Sequence, residues 1–233
     1  MAPTAETPAP PLVGWTGLLF VIGSALFMLG VPLSLTTALP ALASAATFTV
    51  GAGFFTTAAL LQLLLARRDL PESAGRTIVF WRGKTSDWSS AAVQLVGTLA
   101  FNVNTIRAAI LIGADPRAVD REVWGPDAVG SALFLVASVI AMVPEVRERR
   151  HAHVTTRSLT IGTLNLTGSI LFGLSAIGAY IIIGTGEHVS LVWANGGTFF
   201  GAACFLVGAA LFGWPPRVTA TTGPGRGASR ATS

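Results

Sequence analysis

The chain has 233 residues, of which 11% are charged and 52% are apolar, with a formal net charge of +4 and a mean hydropathy of +0.65. A soluble domain carries roughly 25% charged residues, so a soluble globular surface is excluded, and a disordered chain would need low hydrophobicity and high net charge. The class is integral membrane, and the basic residues lie between apolar runs, where they report topology rather than nucleic-acid binding.

Residues 1–12 contain Pro3, Pro8, Pro10 and Pro11 and no Lys or Arg. They read as a disordered proline-rich tail without the positive n-region of a signal peptide. Six apolar runs follow, at 13–35, 41–66, 89–113, 127–146, 159–183 and 190–214, each near the 20 or so residues that a spanning helix needs. Residues 215–233, rich in Thr, Gly, Ser and Arg, read as a second disordered tail. The single cysteine, Cys204, lies in the last run without an intrachain partner, so no disulfide framework is expected. The expected fold is all-α and polytopic, with six transmembrane helices over 13–214 arranged as three helical hairpins.

Basic residues alternate from side to side. The 67–88 segment carries Arg67, Arg68, Arg76, Arg82 and Lys84, the 147–158 segment Arg147, Arg149, Arg150 and Arg157, and the tail Arg217, Arg226 and Arg230. The opposite side carries Arg117 and Arg121 alone, a tally of twelve against two. The positive-inside rule then puts both termini in the cytoplasm of a multi-pass cell-membrane protein. Trp15, Trp88, Trp124, Trp193 and Trp214 fall at span ends, where indole rings favour the headgroup region. Trp81 falls inside the 67–88 segment. The bilayer is the expected partner, with anionic headgroups held at Arg147, Arg149 and Arg150. A homo-oligomer is compatible with the sequence.

Each run contains glycine followed four residues later by phenylalanine: Gly23/Phe27, Gly51/Phe55, Gly97/Phe101, Gly130/Phe134, Gly168/Phe172 and Gly201/Phe205. The residue after the glycine is always small. Seven positions on stand Gly30, Ala58, Asn104, Ala137, Ser175 and Gly208. Three positions before stand Phe20, Phe48, Gln94, Asp127, Asn165 and Thr198. These positions share one helical stripe. Small residues gather where helix backbones approach in lipid, so the stripe is expected to face the inside of the bundle. A phenylalanine-lined ligand groove is the alternative.

The segments Gly130-Ser131-Ala132-Leu133-Phe134 and Gly168-Ser169-Ile170-Leu171-Phe172 resemble the YrhK-like family of small bacterial membrane domains. The resemblance implies a bacterial source and hairpin units over 88–214. It brings no catalytic or binding residue.

Arg107 lies within the third run and continues its inward stripe. A charge at that depth marks function by default. Asp127 stands near the same end of the next run, so the two are candidates for a pair. Otherwise Arg107 snorkels to headgroups and Asp127 caps its helix beside Pro126. With Asn104, Asn195 and Thr198 they form a candidate outward polar cluster. Asn102 sits at the same depth. Gln94 and Asn165 are expected to meet near the cytoplasmic end. Interhelical hydrogen bonds are the plainer role for these amides.

Other signals fall away. Gly83-Lys84-Thr85 lacks the first glycine of a phosphate loop. Asn165-Leu166-Thr167 is a glycosylation sequon inside a span. His151 and His153 lack a third metal ligand, and Gly173-Leu174-Ser175-Ala176 lacks a base. No enzyme, metal or cofactor is expected. The sequence reads as a non-enzymatic structural or interaction protein. The alternative is a small transporter or channel with a polar pocket around Arg107, suited to an anionic or amide-bearing solute.

Overall fold

In lipid every backbone N–H and C=O must find its partner within the protein, which turns long apolar runs into helices. The computed structural model describes residues 11–36, 40–68, 86–149, 156–182 and 184–214. The long helices are α1 (Pro11–Leu35), α2 (Ala41–Arg68), α3 (Ser86–Ile110), α5 (Gly125–Arg149), α6 (Thr156–Ala179) and α7 (Leu191–Gly213). A short α4 (Pro116–Val119) and a π-helical segment (Asp120–Trp124) lead into α5, and two-residue strands β1 (Ile181–Ile182) and β2 (Glu187–His188) pair between α6 and α7. The N-terminal tail, Trp81, the Gly83-Lys84-Thr85 segment, Arg150, His151, His153 and the C-terminal tail lie outside the described residues.

Among the described residues, five helical segments are long and apolar enough to cross a membrane: Pro11–Leu35, Ala41–Arg68, Arg117–Pro144, Thr156–Ala179 and Leu191–Gly213. The expected third span, 89–113, is the 25-residue helix α3. It carries Asp87, Gln94, Asn102, Asn104 and Arg107, which lower its apolarity. The outer surface of the helices is rich in large apolar side chains, with Leu29, Val50, Leu99, Val136, Ile177 and Val207 among those exposed. A multi-pass membrane protein has this surface.

Two boundaries differ from expectation. The fourth span was expected to start at 127, beside Pro126. The helical path instead runs unbroken from Pro116 to Arg149. Proline in a helix lacks an N–H and pushes against the carbonyl four residues back. Here the widened π-helical segment immediately precedes Pro126, with the Gly125 N–H bonded to the Asp120 carbonyl. The fifth span was expected to reach 183 but ends at Ala179, where β1 turns back on β2. Gly186, at φ 72°, takes the left-handed turn position that glycine occupies without a Cβ clash.

Each long helix packs on its neighbours in the chain, and α7 packs on α1, so the six close a ring. The repeated stripe faces inward. All six of its glycines and all six of its phenylalanines are buried. The glycines receive the neighbouring rings reciprocally. A Cβ on Gly23 would meet the Phe55 ring and one on Gly51 the Phe27 ring. Gly97 and Phe134 exchange with Gly130 and Phe101, and Gly168 and Phe205 with Gly201 and Phe172.

The three exchanging ring pairs share one edge-to-face geometry, with centroids 5.5 Å apart for Phe27–Phe55, 5.2 Å for Phe101–Phe134 and 5.2 Å for Phe172–Phe205. Across the bundle axis, Phe27, Phe101 and Phe172 form one triangle, with sides of 6.5, 6.0 and 5.7 Å. Phe55, Phe134 and Phe205 form a second, with sides of 6.3, 6.2 and 5.6 Å. Edge-to-face pairs contribute about 0.5–1.5 kcal/mol each beyond area burial. Two stacked triangles thus fill the middle of the ring.

Hydroxyls tie the helices beside this plug. Ser90 donates to the Ala137 carbonyl at 2.8 Å, Ser138 and Ser169 share a 2.8 Å bond, and Ser175 donates to the Ala194 carbonyl at 2.6 Å. Such bonds average ~0.6 kcal/mol in membrane helices.

Candidate functional site

The repeat builds more than the plug. Neighbouring helices run in opposite directions, so seven positions beyond a glycine on one helix lies level with three positions before a glycine on the next. At one end this brings together Asn104 and Ser175 with Phe48, Asp127 and Thr198. They line a cavity of about 280 Å³ to which all six long helices contribute, with Phe27 as its floor. At the other end Phe20, Gln94, Asn165 and Gly208 line a narrow cavity of about 80 Å³ whose inner wall is Phe205. Gln62, Ile161, Asn165 and Phe212 are shared with a wider cavity of about 460 Å³ that reaches Arg68, Asp87 and Ser158. Two polar cavities therefore lie on one axis, with the phenylalanine plug between them. The wider one is at the end that carries Arg67, Arg68 and Arg157 and is called the basic end below. The 280 Å³ cavity is at the far end.

Four residues of the expected polar cluster line the far-end cavity: Asn104, Asp127, Asn195 and Thr198. Arg107 does not. Its Nη2 pairs with Oε2 of Glu122 in the π-helical segment. The expected Arg107–Asp127 pair is therefore corrected: the acidic partner comes from the helical lead-in that sequence reading left outside the span. With side chains 40% and 31% exposed, this pair ranks with surface ion pairs, about 0–1 kcal/mol. Asp127 is not a helix cap either, because the helical path already runs through it.

Each polar lining group has its own environment. Asn104 donates its Nδ2 to the Val123 carbonyl at 2.9 Å. Ser175 and Thr198 share a 2.7 Å hydroxyl bond, and both also reach the Ala194 carbonyl. Trp124 donates Nε1 to the Ala176 carbonyl at 2.7 Å and packs edge-to-face on Tyr180, which fixes the start of α5 against α6. Asn102 turns away from the axis and donates to Thr56 of α2 at 2.5 Å. Gln94 and Asn165 line the same basic-end cavity, as expected, and Gln62 joins them with its Oε1 buried and without a hydrogen bond.

Sequence reading left Phe48 and Ser175 out of the polar cluster, although both belong to the repeat, and met Phe27 only through the alternative of a phenylalanine-lined groove. Phe48 stands in the column that is polar in later spans. Its departure from that column was the available signal for an aromatic wall. Among the described residues no three His, Cys, Asp or Glu side chains gather as for a metal. No family model matches the chain, and neither curated proteins nor solved structures give a match.

Proposed function

We propose that the protein is a small channel or transporter of a cell membrane, with six spans formed by three hairpins around an axial solute path. The observation that carries this reading is the pair of polar cavities, each lined from around the ring, separated only by two layers of phenylalanine. A purely structural bundle gains nothing from polar cavities on its axis. Hydrophobic constrictions between wetted cavities are a known gating device. The six-span count is supported by the length of α3, about 37 Å at 1.5 Å per residue, and by its exposed apolar face at Val96, Leu99, Val103 and Ile106. The hairpin unit is supported by the three reciprocal glycine–phenylalanine exchanges. Kinship with YrhK-like domains would rest on that same unit, since Gly130 to Phe134 exchanges with α3 in one hairpin and Gly168 to Phe172 with α7 in another. The charge tally supports cytoplasmic tails, which makes the basic end cytoplasmic and the far-end cavity outward.

The plug is the part to test. Phe27→Ala and Phe101→Ala, singly and together, thin the triangle that faces the far-end cavity. Proteoliposomes containing the variants should swell several-fold faster in a panel of small solutes than those with the unaltered protein. If the folded double variant matches protein-free vesicles for every solute, the axial path is wrong.

A further inference from the structure

The sign and shape of the far-end cavity specify its occupant further, on the premise that this axis carries a solute. We propose that the cavity binds a small organic ammonium ion, with the Asp127 carboxylate as its counter-ion and Phe27 and Phe48 as its aromatic wall. Among the described residues Asp127 is the one ionisable side chain in the lining. No described residue makes an ion pair with it, and Arg107, the partner expected from the sequence, is engaged by Glu122. A membrane-depth carboxylate without a partner is costly and marks a site for a complementary charge. Among the described residues no Lys, Arg or His lines the cavity, which argues against the anionic solute expected when Arg107 was placed there.

The remaining lining separates an organic cation from a metal ion. Hard cations take six or more oxygen ligands, usually with several carboxylates, and this cavity offers one carboxylate. Its two phenyl rings suit an ammonium group, which is drawn to ring faces when desolvated. Asn195 makes no hydrogen bond among the described residues and is placed to meet an N–H or hydroxyl of the ligand. The volume of about 280 Å³ lies just below the ~300–1,000 Å³ usual for small-molecule sites, which suits a small ion. The basic-end cavity differs, because Arg68 and Asp87 both line it and give it no single sign.

The test measures binding and not flux. Purified protein in detergent is titrated calorimetrically, and its melting followed, with methylammonium, tetramethylammonium and choline. Acetate and a neutral alcohol of matched size serve as comparisons. The cations should bind and raise the melting temperature. Asp127→Asn should weaken them at least tenfold, and Glu187→Gln, at an exposed position, should not. Phe48→Leu should lower the preference for tetramethylammonium over methylammonium. Failure of every cation to bind, equal affinity in Asp127→Asn, or tighter binding of acetate overturns the proposal. Cation binding without any vesicle flux would leave this site standing and remove the axial path. Leaky phenylalanine variants without cation binding would do the reverse.

Discussion

A Cβ added to Gly17 would stand 2.4 Å from the Gly213 Cα and 2.8 Å from its nitrogen, so α1 and α7 touch backbone to backbone. No side-chain rotation relieves that approach. Gly17→Ala should therefore lose about 1–3 kcal/mol, the usual range for overpacking. Gly53→Ala, with nothing within 4 Å, should be neutral or slightly stabilising, because glycine inside a helix costs roughly 0.5–1 kcal/mol against alanine. Gly168→Leu should behave as Gly17→Ala does, since its added carbon meets the Gly201 carbonyl at 3.0 Å and the Phe205 ring at 3.1 Å. Melting in detergent orders the three, and equal values would show that these glycines are not contacts. The stripe was legible because helical period and small-residue preference are local properties. The destination of each ring was not, because a phenylalanine reaches the glycine of the neighbouring helix and only packing selects that neighbour.

Arg107 and Glu122 belong to different elements, and their pair fastens the π-helical segment to α3. A double-mutant cycle with Arg107→Met and Glu122→Gln should give a coupling energy that differs from zero. The same cycle with Arg107→Met and Asp127→Asn should be additive, with both read from melting temperature or folded yield. Coupling to Asp127 and none to Glu122 would reverse the assignment. This contact was hidden in the sequence because Pro126 looks like a helix start, which moves Glu122 into a loop. Proline marks a boundary only when the preceding backbone cannot widen, and here it does. The β1–β2 turn was hidden for a related reason. Ile181 and Ile182 fit a span by hydropathy alone, and two residues are too few to show an alternating pattern.

For the whole molecule, the order of charges along the chain decides orientation. Reporter fusions after Arg68 and after Arg150 should report cytoplasm, and fusions near Pro116 and Glu187 the opposite side. Agreement between the first two with reversal of all four would invert the molecule and leave its span count intact. Disagreement between them would remove the six-span topology. The two cavities were half legible at this scale. Asn104, Asp127 and Thr198 were found from the stripe and their depth, and Asn195 from depth alone, since residues at one depth on a closed ring converge on its axis. The apolar members of the first hairpin, Phe20 and Phe48, were passed over because a polar search does not see the walls of a polar site.

The contact between α1 and α7 also sets a schedule for biosynthesis. The ring of helices becomes closed only when α7 meets α1 at Gly17 and Gly213. α7 is the last of the six to leave the ribosome, and it brings Phe205, a corner of the second triangle. Until then the nascent chain is an open arc whose Gly14–Gly17 edge faces lipid or an insertase. The closed axis and the complete second triangle therefore exist only once α7 is in place. Quality control that recognises an unpaired glycine edge would act on arcs that stalled before α7, whatever the state of the hairpins already inserted.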